Sequence, residues 1–159
     1  MQIPKLTDIS AAWAAALLTD AAINAWCETT FGKRPTILDG MDPRNRPGKG
    51  DCPLIVIDPE ADDTGLFSEE FSYSLELRVG VYSEQGGRGQ SGDDDRLITY
   101  AAKTQAEHLA ALALNCLAGT DWFPQRVQGE LIDDFYPLVI KYLSITTATE
   151  VVSDGDRTW

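Results

Sequence analysis

Side chains that bind soft metals are scarce in this chain: one histidine, His108, and three cysteines, Cys27, Cys52 and Cys116, odd in number and far apart. That scarcity excludes a disulfide framework and a zinc site of familiar spacing, and it fits a reducing compartment. Positive charge is also short. Thirteen Lys and Arg stand against 25 Asp and Glu, a net charge of −12. A conventional nucleic-acid binder is thereby excluded, because it needs a basic footprint to displace counterions from phosphates. No apolar run approaches membrane-spanning length, and the start, MQIPKLTDIS, has neither the basic n-region nor the apolar h-region of a signal peptide. The expectation is a soluble protein made in the cytoplasm. Repeats and domain linkers are absent too. What is present, 43% hydrophobic residues in 159, supports one core, hence a single domain over 1–159 with a polar tail from about 153.

Periodicity supplies the elements. Apolar residues recur with helical spacing from Thr7 to Thr30, at Ile9, Trp13, Ala16, Leu17, Ile23, Trp26 and Cys27, with Thr7 or Asp8 as cap and Gly32 and Pro35 as stop. Residues 37–53 carry three prolines and three glycines and read as a long loop, which holds the basic cluster Arg44, Arg46 and Lys49. Leu54 to Ile57 reads as a strand stopped by Asp58 and Pro59, followed by an acidic turn over 60–65. The clearest strand is 71–82. Phe71, Tyr73, Leu75, Leu77, Val79 and Val81 alternate with mostly polar residues, the period of two that gives a sheet one core face. A second main helix is expected at about 94–117, then a strand within 122–131 edged by Pro124. A long closing strand is expected over 136–151, where the shift of its apolar positions allows either a bulge or burial on both faces.

Between the long strand and the second helix runs EQGGRGQSGDDD, residues 84–95. Its glycine spacing matches neither a P-loop nor a dinucleotide fingerprint. Asp93, Asp94 and Asp95 would repel phosphate, and they read as the cap and first-turn acids of the following helix. The tip residues Gly86, Gly87, Arg88 and Gly89 are candidates for touching a subunit or partner, as are Arg44, Arg46 and Lys49. Trp13 reads as core, while the role of Trp159, core or subunit anchor, stays open. No catalytic, cofactor or metal site is marked. His108 lies mid-helix beside Glu107 with no visible base or nucleophile arrangement, although Cys116 is eight residues on. The carboxylates Asp58, Glu60, Asp62 and Asp63 depart from EF-hand spacing and read as a solvated turn.

The order of elements gives an α+β fold, an antiparallel sheet with a long β-hairpin arm packed by two main helices. The segments ISAAWAAALLTDAAINAW, PLIVIDPE, FSYSLELRVGVYSE with its glycine-rich tip, RLITYAAKTQAEHLAAL and YPLVIKYLSITTATEV together resemble the tail terminator, or tail-completion, proteins of long-tailed bacteriophages. The resemblance implies a structural virion protein of the tail and neck, assembled in the host cytoplasm and without cofactor or enzymatic activity. It implies a homohexamer ring that caps the tail tube protein, ends polymerisation and joins the tail to a head-completion or connector protein. DNA would pass through the lumen without specific binding, and an acidic lining suits that passage. The alternatives are an acidic inhibitor or immunity-type protein that masks a basic partner by charge, and a small hydrolase.

Overall fold

The computed structural model describes residues 3–64, 70–82, 96–97 and 100–150. Among these, the chain runs α1 (Leu6–Thr19), α2 (Ala21–Phe31), β1 (Thr36–Asp39), β2 (Leu54–Asp63), β3 (Glu70–Tyr82), α3 (Ala101–Ala118), β4 (Arg126–Ile132) and β5 (Leu138–Glu150). The strands form one sheet of order β1-β2-β3-β5-β4, antiparallel throughout except where β1 runs parallel to β2. The fold is α+β, with a long β2–β3 hairpin. β3 is also paired with β5 from end to end, which makes it the middle strand.

The alternation of β3 decides where the core lies. Phe71, Tyr73, Leu75, Leu77, Val79 and Val81 are all buried on one face. Ile55 and Ile57 of β2 and Val139, Leu143 and Ile145 of β5 join them there by register. The three helices cover this face, inserting Ile9, Trp13 and Leu17 from α1, Ile23 and Cys27 from α2, and Leu109, Ala113 and Leu117 from α3. Buried polar atoms in this layer find partners, as burial requires. The Trp13 indole donates to the Trp122 carbonyl at 2.9 Å, the Tyr73 hydroxyl to the Pro4 carbonyl at 2.8 Å, and the Thr147 hydroxyl to the Phe123 carbonyl at 2.9 Å. Trp13 is core, as its position predicts.

Several boundaries differ from the sequence expectation, each for a local reason. The first helix is two helices bent by 57°, because Asp20 leaves helical geometry and caps α2, its carboxylate accepting from the Ile23 amide at 2.8 Å. Lys5, rather than Thr7 or Asp8, is the α1 N-cap, and Asp8 reaches back to accept its amide at 3.0 Å. The loop over 37–53 opens with the short strand β1. Asp58 and Pro59 do not stop β2, nor do residues 60–63 form a turn. The strand continues to Asp63 with a register shift between Pro59 and Ala61. β1 pairs only with Leu54–Ile57, so the outer edge beyond is open, and a proline lacking an N–H is tolerated there. α3 begins at Ala101 after Tyr100, with no acid in its first turn. Asp93, Asp94 and Asp95 thus precede its start by several residues and lie outside the described residues. β5 resolves the two readings of its apolar shift: its register is unbroken on both sides, so both its faces are partly buried and no bulge is needed.

A burial contrast tests this layer. Leu77→Ala should destabilise the protein by about 2–5 kcal/mol, whereas exposed Leu18→Ala on α1 should stay within about 0.5 kcal/mol of wild type. Urea unfolding measures both, and equal effects would contradict the assignment of the core face.

Candidate functional site

Among the described residues, α1, α2 and α3 all pack on the core face and leave the opposite face of the sheet uncovered by α-helix. Its even-numbered β3 positions, with their register neighbours, run from an apolar end to a charged middle to a stretch of small hydroxyl residues, Ser72, Ser74, Ser144 and Thr146. At the apolar end Leu54, Val56, Gly80, Ile132, Leu138 and Ile140 line a cleft of about 580 Å³, with Tyr82 and Tyr142 in its walls. Gly80 keeps this floor low. A Cβ there would stand 3.1 Å from Leu54 Cγ, tighter than ordinary packing. Cys52, Leu54 and Val56 form a small buried cluster in this lining, packed by Leu38 and Met41.

Two of the three predicted cations come to this cleft. Arg46 and Lys49 stand on its rim, and the Lys49 ammonium lies 5.0 Å from the Tyr82 ring centroid, a cation–π distance. Arg44 is not part of the cleft lining: it pairs locally with Asp42 through Nε at 3.1 Å, and that guanidinium holds the Asp42 carboxyl below its usual range. Gly86, Gly87, Arg88, Gly89 and Trp159 lie outside the described residues. Of the other tryptophans, Trp26 and Trp122 are half-buried against the helix-side core, and Phe123 and Phe135 are the more exposed aromatics.

The charged middle is a network that the sequence did not reveal, because its members lie on three strands. Glu76 on β3 is buried. It accepts from Arg78 at 2.6 Å and from the Tyr142 hydroxyl of β5, and Arg78 also reaches Asp58 at 3.5 Å. Glu60, the extra residue at the β2 register shift, hydrogen-bonds Glu76. Two carboxyl groups so placed share one proton. That hydrogen bond, then burial and the charges of Glu76 and Asp58, raise Glu60 to about 7. For Glu76, burial pulls upward but is outweighed by hydrogen bonds from Glu60, Tyr142 and Arg78, so its value falls below 4.5. The Tyr142 hydroxyl, held by Glu76, is pushed up to about 12.

Elsewhere the chemistry is sparse. Exposed His108 packs its ring 4.7 Å from that of Trp26, and Cys116, eight residues further along α3, is about 12 Å away along the axis. Burial, assisted by Asp20, pushes the Cys116 thiol up to about 11, and burial alone pushes Cys27 to about 12, so neither is a thiolate near neutrality. Among the described residues no group of three or more His, Cys, Asp or Glu is placed to hold a metal, and no single helix is long and apolar enough to cross a membrane. A second depression of about 500 Å³ lies between α2 and the first turn of α3. Lys33 lines it, but its ammonium is committed to the Gly50 carbonyl at 2.6 Å.

The carboxyl pair makes stability depend on pH in two opposed ways. The raised value of Glu60 favours the folded protein below pH 4.5, and that advantage is lost as pH rises through about 7. The lowered value of Glu76 favours the folded protein above pH 4.5 and is lost in acid. Thermal unfolding of wild type from pH 4.5 to past 7 should show a fall in stability that Glu60→Gln removes. An identical pH slope in both proteins would contradict the shared proton.

No protein-family model matches this chain, and no curated protein matches it.

Proposed function

We propose that the chain is a tail-terminator-like assembly protein that forms a ring, a homohexamer, caps a phage tail tube and presents a surface to the head side. The observation that carries this reading is the uncovered sheet face. Helices bury one face of β2, β3 and β5, while the other face of the sheet exposes an apolar cleft with cations on its rim. Exposed apolar surface of this kind is a common feature of contacts with another protein. With a net charge of −12, a ring lumen lined by this chain would repel the phosphate backbone of passing DNA.

Complementation of a terminator-deficient phage, with electron microscopy of its tails and light scattering of the purified protein, tests the proposal. Rings of several subunits and restored tails of normal length, joined to heads, are expected. Deleting residues 86–91 should leave circular dichroism unchanged and lower the frequency of joining. A persistent monomer that fails to complement and captures a basic protein would replace this reading with the acidic-inhibitor one.

A further inference from the structure

Exposed groups of opposite sign occur at the cleft. Arg46 lines it and makes no ion pair among the described residues. The connection from β4 to β5, whose Phe135 lines it too, carries Asp133 and Asp134, which are exposed and likewise make none among the described residues. That connection also carries Phe135, 66% exposed and lining the cleft, and Tyr136, 43% exposed, whose ring meets that of Tyr100 edge-on at 6.0 Å. Exposed aromatics contiguous with an apolar cleft form the kind of anchor that dominates interface energetics.

We infer that the cleft takes a second copy of this chain, the acidic and aromatic Asp133–Tyr136 connection of one subunit seating against the Arg46 rim and cleft of the next. This deepens the assembly reading and rests on it. Charge favours a self-contact of this polarity. With a net charge of −12, most of a second copy's surface is repelled by the first, and attraction requires bringing its acids to a cationic rim. Edge-to-edge pairing through the open part of β2 is opposed by Pro59, the register shift beside it and the carboxylates of residues 58–63, all features that protect open sheet edges.

Sedimentation velocity over a range of concentrations tests the inference on wild type, Arg46→Glu, Asp134→Arg, the double variant, and Phe135→Ser, with Arg46→Gln as a milder form. Each single variant should raise the concentration of half-assembly by more than about tenfold, and the double variant, which restores opposite charges across the contact, should recover most of the loss. Both charged positions are exposed, so circular dichroism should be unchanged. A wild-type oligomer indifferent to all these variants overturns this inference and leaves the ring reading standing. A wild-type monomer at every concentration overturns both, and assigns the cleft to another occupant. An oligomer that responds as expected but does not restore phage tails upholds the contact and overturns the tail-terminator reading alone.

Discussion

Everything in this molecule hangs on the pairing of β3. It is held on both edges, by β2 and by β5, and its 13 residues match β5 without a break in register. Because side chains alternate along a strand, that one register sends Leu75, Leu77 and Val79 into the helices and Glu76, Arg78 and Gly80 to the other side. A slip by one residue would bury an ion pair in the core and expose its largest aliphatic row. The cost of such a slip keeps the two faces of the sheet distinct.

The open face inherits its chemistry from this constraint. Gly80 opposite Leu54 leaves room for a cleft, while Glu76 and Arg78, next along the same face, collect Asp58, Glu60 and Tyr142 into a hydrogen-bonded group. A buried carboxylate such as Glu76 is costly unless its oxygens are satisfied, and here an arginine, a tyrosine and a second carboxyl group satisfy them. The network ties β2, β3 and β5 together beside the cleft.

How much of this could be read from the sequence follows the range of the forces involved. β3 was legible because its alternation is strict over twelve residues, and the α+β class followed from the order of periodic segments. The break at Asp20 was not. The apolar positions Leu17, Ile23 and Cys27 keep helical spacing across it, and the cap that splits the helix is a single carboxylate. β1 has only four residues among glycines and prolines, and it exists because β2 offers it a parallel edge. Pro59 is a strand breaker by type, but an open edge makes it harmless. The aspartates at 93–95 carry the composition of a helix start, yet α3 begins at Ala101. Arg46 and Lys49 were singled out by charge alone, whereas the cleft they border depends on Leu54, Gly80 and Ile140, which meet only through long-range register. Glu60, Glu76 and Tyr142 could not have been grouped without the same information.

On the proposed reading, the uncovered face of the sheet, and not the helical side, is where subunits meet. Hydroxyl-radical footprinting of the assembled particle against the dilute chain measures it directly. Met41, Tyr82, Phe135 and Tyr136 should lose most of their reactivity on assembly, while Leu18 and Phe123, which are exposed away from the cleft lining, should keep theirs. Undiminished modification of Phe135 and Tyr136 in the assembled particle, with protection concentrated at Leu18 and Phe123, would place the contact elsewhere and rule out the open face.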